Sequence, residues 1–298
     1  MKIIPRTALV YSFSPKNKPV EKVVPGELVL FKTIDALGGQ VKDESFTLDK
    51  IDWSRVNGAT GPIYVEDAEP GDTLIVEILD IKIHDKGVLV VVPKYGALGH
   101  INFNPKVKLV NIREGIVYFD NLHIKANPMI GTIGVSPAEE EIPTGSLGRH
   151  GGNMDSKDVS SGTKLYLPVF VKGALLAIGD LHAVQADGEL CVSAVEVSGE
   201  VLVRIGLIKG KQPKWPILET KDYYAILTCG DTLDEACRDA SEVAVKAISS
   251  ARNIPFEEAY MIASLVVDLK INQVVDPKKG VRAIIPKGII RSIEHLLL

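Results

Sequence analysis

Residues 164–189 read KLYLPVFVKGALLAIGDLHAVQADGE, and their pattern decides the fold class. Two apolar arms, 164–171 and 174–181, flank Lys172-Gly173. Each arm is short, bounded by turn residues and apolar at consecutive positions, which is the pattern of a strand covered on both faces. The stretch is expected to form a buried β-hairpin bent at Lys172-Gly173. The alternating run LCVSAVEVSGEVLVRI, from Leu190, continues the sheet.

Upstream, PGELVLFKTIDA (25–36) and PGDTLIVEILDI (70–81) align without gaps. Both open on a Pro-Gly turn, with proline presetting φ and glycine supplying the left-handed position, and both run into a strand. Further strands are expected at 61–66, 87–92, 107–111, 115–119 and 122–126. Residues 127–163, rich in Gly, Pro and Ser, read as one long loop, functional or mobile. Composition shifts after about 218. Thr232-Leu233-Asp234-Glu235 is a capping box. Beyond it Leu233, Ala236, Cys237, Ala240, Val243, Ala244, Ala247 and Ile248 recur at helical spacing. Pro255 opens a second helix, FEEAYMIASLVVDLK, apolar most of the way round and so expected to be buried. A hairpin turning at Asp276-Pro277 closes the chain. The fold class is mainly β with an α+β part: a β-sandwich body over 1–218 carrying the site, and an α+β part over 219–298 packed on the same core.

With 298 residues, 46% hydrophobic and 24% charged, the chain has an ordinary globular balance. A net charge of −4 and the lack of a basic stripe argue against a nucleic-acid partner. No apolar run is long enough for a membrane helix. Cys191, Cys229 and Cys237 lack metal-site or redox spacing and read as reduced thiols. A cytoplasmic protein is expected.

Acids and imidazoles crowd the region around the apolar arms. Asp180 and His182 lie two apart on a strand, hence on one face. Asp187 and Glu189 repeat that spacing, as do Asn153, Asp155 and Lys157, and His150 stands on a glycine-rich loop. Polar groups at the ends of buried strands are costly unless paired or metal-bound. A polar site, with a metal in it, is the expectation. The remaining histidines, and the run Glu139-Glu140-Glu141, read as structural or solvated. Asp268, on the second helix, would need Lys270 or Arg282 as partner.

The chain resembles the acetamidase/formamidase family, on TGPIYVEDAEPGDTLIVEILDI (60–81), GGNMDSK (151–157), LYLPVFVKGALLAIGDLHAVQADGE (165–189) and EEAYMIASLVVDLKINQVVDPKKGVRAIIP (257–286). The resemblance implies an acetamidase/formamidase-like β-sandwich, hydrolysis of small aliphatic amides such as formamide and acetamide, a homo-oligomer (dimer or higher) and a divalent metal, zinc first and calcium second. The family pattern G-N-x-D-x-K falls on Gly152, Asn153, Asp155 and Lys157, and G-D-x-H-A on Gly179, Asp180, His182 and Ala183. G-D-G-E falls on Ala186, Asp187, Gly188 and Glu189, with alanine in place of the first glycine.

On this reading Asp155, Asp180 and His182 hold the metal, with His150 in reserve. Glu189 is the general base, while Asn153 and Lys157 orient the amide and stabilise the oxyanion. The apolar arms would keep the site small. Three alternatives stand beside it: thiol catalysis by Cys191 with Glu189 and Lys157, a non-catalytic small-ligand-binding sandwich, and hydrolysis of another C–N bond in a cyclic amide or urea derivative.

Overall fold

The computed structural model describes residues 1–297. Among them two large sheets share one core. The nine-stranded sheet runs in the order Lys2–Ile4, Leu28–Thr33, Gly199–Ile208, Thr73–Ile83, Thr163–Pro168, Ile217–Glu219, Tyr223–Gly230, Lys279–Pro286, Asp268–Gln273. It therefore contains strands from both sides of residue 218. The second sheet places Leu176–His182 between Met129–Gly134 on one edge and both Ala59–Val65 and Glu196–Val197 on the other. Phe31, Leu74, Val76 and Val203 of the first sheet meet Ile63, Ile130, Ile178 and Leu181 of the second in a continuous apolar cluster. The class is mainly β, a sandwich, as the sequence pattern predicts.

Gly199–Ile208 shows why the alternation reads correctly. Val201, Val203 and Ile205 are buried while Arg204 is exposed, the period-two pattern of a strand with one face in the core. The aligned segments 25–36 and 70–81 become the two antiparallel neighbours of this strand.

The arms 164–171 and 174–181 do not form a hairpin. Thr163–Pro168 pairs with Thr73–Ile83 and Ile217–Glu219 in the first sheet, whereas Leu176–His182 belongs to the second. Lys172-Gly173 is a crossing between layers. Both arms are apolar on both faces because each is central in its own sheet; local pattern reports burial, not partner.

The 127–163 stretch is not one loop either. Met129–Gly134 is a wholly buried strand, and Gly151–Asn153 pairs with it. Its glycines, Gly131 and Gly134, hide a strand from propensity reasoning.

The capping box forms as expected: Thr232 accepts from the Glu235 backbone and opens α1, Leu233–Arg252, which ends at Asn253 in the left-handed region (φ 53°). Ala236, Ala240, Ala244 and Ala247 let α1 lie close on the sheet. The second helix, α2, is shorter than expected. It spans Phe256–Val266, and Asp268–Gln273 is an edge strand paired with Lys279–Pro286. Nor is α2 buried all round: Ala259 and Ala263 face inward, while Phe256, Tyr260, Met261 and Leu265 are exposed. An apolar run cannot by itself separate helix from strand or fix its neighbours. Asp268 is accordingly exposed on that edge strand, where a carboxylate needs no partner. Among the described residues no helix is long and apolar enough to cross a membrane.

Candidate metal centre

The site forms where the Leu176–His182 strand passes Met129–Gly134. Ile130 faces Leu181 and Thr132 faces Gly179, leaving Gly131 opposite Asp180. At that position Asp180 has φ 53°, and Asp155 and Glu189 each have φ 42°. Three acidic residues in the left-handed region cost about 1–3 kcal/mol each, and such strain concentrates at functional sites. Gly131 makes room for two of them. A Cβ there would lie 2.5 Å from both Asp155 Oδ1 and Asp180 Oδ2. Gly131→Ala is therefore expected to lower stability by about 1–3 kcal/mol and turnover at least about a hundredfold by displacing those carboxylates. A denaturant midpoint and kcat measured together check this.

His182 is the pivot. Its Nδ1 is 2.8 Å from Gln185 Oε1, and the Gln185 amide nitrogen donates to the Asp155 carbonyl at 2.6 Å. Gln185 must therefore accept from His182, which puts the proton on Nδ1. A neutral ring then turns a bare Nε2 lone pair toward carboxylates: Asp180 Oδ1 at 3.2 Å, Glu196 Oε2 at 3.1 Å and Asp155 Oδ1 at 4.0 Å. Lone pairs facing one another in a water-poor interior repel. Positive charge among them, a proton on Nε2 or a metal ion, removes the repulsion.

The carboxylates tell the same story. Asp155, Asp180, Glu189 and Glu196 are all buried. Asp155 Oδ1, Glu189 Oε2 and Glu196 Oε2 have no hydrogen-bond partner; Glu196 Oε2 is near His182 but off hydrogen-bond alignment. Burial first, then the surrounding acids, pushes Asp155 and Glu189 well above the usual carboxylate range. Burial likewise raises Glu196 and Asp276, each to about 7. Burial also acts on Asp180, but His182 outweighs it and holds Asp180 low. For His182 burial opposes charge, yet Glu196 and Asp180 push it well above its ordinary value. Donor atoms of Asp155, Asp180 and His182 lie within 4.8 Å of one another, and so do those of His182, Glu189 and Glu196. A borderline nitrogen with hard carboxylate oxygens, several unpartnered, fits a divalent cation. Gln185 then holds the imidazole by its other nitrogen, as the outer partner of a metal-bound histidine does.

Not every expected residue joins. Asn153 borders the site, but its amide is spoken for: Nδ2 donates to Asp155 Oδ2 at 2.6 Å and Asp276 Oδ2 at 2.9 Å, and Oδ1 accepts from Thr132. It positions carboxylates and has no hydrogen left for a substrate. Lys157 lies 3.0 Å from Asp187 Oδ2 and is partly exposed, outside the cavity lining; the nearest acid captures its long stem. His150 lines a separate cavity beside Trp215 and Cys229, where burial pushes it down to about 4. Its ring lies edge-on to Phe13, with centroids 5.0 Å apart. Cys191 donates to the Ser193 carbonyl and shares with Glu189 a second cavity, which Lys157 does not line, while the cavity of the buried acids lacks its thiol. Ala186 has no positive φ; Gly188 takes that conformation at 102°, so alanine costs nothing there.

Sequence reasoning missed Glu196, Asp276, Thr132, Gln185 and Arg282. Glu196 had a signal: a lone carboxylate in the apolar run AVEV. Asp276 looked like an ordinary Asp-Pro turn. Arg282, fully buried, lies 2.7 Å from Asp158 and 2.8 Å from Asp187 and donates to Asn272. It ties together the segments that carry Asp155, Gln185 and Glu189.

In front of the cluster lies a cavity of about 340 Å³. Asp180, His182, Glu189, Glu196 and Asp276 line it together with Leu37, Trp53, Val56, Val90, Val92 and Val192, and Asn57, Asn153 and Ser193 add neutral polar groups. It is roomier than the cramped cleft expected from the apolar arms, because a loop over residues 36–57 supplies part of its wall.

Residues 7–144 and 133–292 match the profile of the Acetamidase/Formamidase family. A formamidase of Methylophilus methylotrophus is 29% identical over 74% of this chain and 72% of its own. A putative formamidase of Schizosaccharomyces pombe is 29% identical over 63% of this chain, which spans 61% of that relative's length. The crystal structure of an acetamidase from Bacillus halodurans superposes with a TM-score of 0.95 at 38% identity, covering 97% of this chain and 98% of its own.

Proposed function

Because the chain belongs to the acetamidase/formamidase family, we propose that it is an amidohydrolase that cleaves the C–N bond of linear amides to carboxylate and ammonia at a divalent metal centre. The observation that carries this reading is the convergence of His182 Nε2 with Asp180 and with the unpartnered oxygens of Asp155, Glu189 and Glu196, a buried donor set that fits a divalent cation. Asp155, Asp180 and His182 would hold it, zinc before calcium given the imidazole ligand. When bound, the cation lowers the pKa of water and polarises the amide carbonyl.

The chain's own groups do the rest. Glu189 borders the cavity with one oxygen unpartnered. Its raised affinity for a proton suits it to take one from water and return it to the departing nitrogen. Asn153 and Thr132 fix Asp155 and Asp180 in place rather than touching substrate. Lys157 steadies Asp187 and, through it, the loop ahead of Glu189. The reading includes a homo-oligomer, supported by the exposed apolar side chains of α2; sedimentation velocity tests that part.

The decisive assay is ammonia release from formamide and acetamide before and after chelation. Activity is expected in metal-replete protein, loss on chelation, and recovery with zinc. No release from a metal-replete sample across short and longer linear amides would instead favour a non-catalytic binding protein. Cys191→Ala is expected to leave kcat within about twofold of wild type, since its thiol is outside the cavity. A loss of several orders of magnitude would restore the thiol route.

A further inference from the structure

Resting on the amidohydrolase reading, we propose that the preferred substrates are primary amides with a branched or aromatic acyl group, larger than formamide or acetamide. The acyl group sits against Leu37, Trp53, Val56, Val90, Val92 and Val192. The volume of about 340 Å³ falls where sites for drug-sized ligands begin, about 300 Å³. A water molecule occupies roughly 30 Å³ of liquid, so an amide of four heavy atoms would leave most of this space filled with solvent against apolar walls.

The cavity lining divides by origin. Its ionisable groups come from Asp180, His182, Glu189, Glu196 and Asp276, whereas the 36–57 segment with Val90, Val92 and Val192 contributes mainly aliphatic and aromatic surface, Asn57 and Ser193 being its neutral polar members. That division orients an amphipathic substrate: its amide reaches the acids and its acyl group covers the wall. The wall is a built surface. Its loop is closed where the Asn57 N–H donates to the Ala36 carbonyl at 2.7 Å. Gln40 and Asp52 exchange two further hydrogen bonds across it. Leu37 and Ile51 anchor it on Val88, Val90 and Val107. Trp53 and Tyr95, at 55% and 59% exposure, leave aromatic surface bare beside the opening. Val192 borders the cavity at φ 84°, a conformation β-branched residues avoid.

The reaction balances as simple hydrolysis. The C–N bond breaks and a C–O bond forms with the water oxygen; one water proton leaves with the nitrogen as ammonia and the other is given up by the acid product, so that carboxylate and ammonium result. Each methylene buried against such a wall is expected to multiply kcat/KM about fourfold. The test uses the metal-replete protein with formamide, acetamide, isobutyramide and phenylacetamide, following ammonia release. In parallel, phenylacetamide is titrated against the fluorescence of Trp53 in a Trp215→Phe background.

The expected result is kcat/KM for phenylacetamide at least tenfold above acetamide, isobutyramide between them, and saturable change of Trp53 emission. Val92→Trp, which fills the wall, is expected to lower the phenylacetamide-to-acetamide ratio at least tenfold. Equal or faster turnover of acetamide in wild type overturns the size preference and leaves the amidohydrolase reading intact. No turnover of any amide overturns both. If the filled variant misfolds by circular dichroism, the wild-type series and the titration alone decide.

Discussion

Glu189→Gln is expected to lower kcat about a thousandfold while the protein keeps its full complement of metal. General acid–base catalysis contributes roughly 10²–10⁴ in rate, and the amide is the same shape as the carboxylate but cannot take a proton. The position should survive the change because its backbone is held independently. The Gly188 N–H donates to the Asn272 carbonyl at 2.9 Å, and the Val274 N–H donates to the Gly188 carbonyl at 3.1 Å. Steady-state kinetics and metal analysis on one preparation check both halves. If the variant loses its metal, Glu189 is a ligand. If the rate holds, the base is another acid of the cavity, with Glu196, beside His182, first in line.

Asp155→Asn should have opposite effects on the two forms of the protein. With metal, it removes a ligand, and activity is expected to fall at least about a thousandfold. After exhaustive chelation, the variant is expected to melt several degrees above wild type, because one of a crowd of buried carboxylates has been neutralised. The pH dependence has a definite sign. In the metal-free fold Glu196 and Asp276 are pushed up to about 7, so the folded chain keeps protons that the unfolded chain releases near 4.5 and 3.8. Their stabilisation is complete below the unfolded values and is lost as pH rises through about 7. His182, raised by its acidic neighbours, acts in the same direction from its own unfolded value upward. Metal-free wild type should therefore melt higher at pH 5.5 than at pH 8, and added zinc should erase most of the difference. Calorimetry with and without chelator decides. Metal-independent melting at every pH would mean that no cation belongs among these groups.

Much of the site was legible because its members carry their chemistry in their types. Asp180 and His182 stand two apart on a strand, and that spacing does bring them to one place. The glycine-rich loop was read around His150, whereas the structure puts positive φ on Asp155, Asp180 and Glu189. What was not legible was company. His150, Asn153 and Lys157 looked equivalent to Asp155 in the sequence. Yet one lines a separate cavity, one spends its amide on two carboxylates, and one is held by Asp187 at the surface. Glu196 and Asp276 carried too weak a local signal to stand out and complete the acidic side of the cavity.

By itself the amino-acid order determined the β-rich class, the capped helix α1, the final hairpin and the clustering of Asp155, Asp180 and His182 as candidate ligands. Those depend on side-chain period, turn and cap preferences, and functional groups, all of which act over a few neighbouring residues. Only the tertiary structure decided that the two apolar arms part into separate sheets, that Gly131 lies opposite Asp180, and that a distant loop walls the cavity. Those follow from pairings between segments tens of residues apart, whose stability comes from burial shared across both layers, and no local pattern encodes a partner.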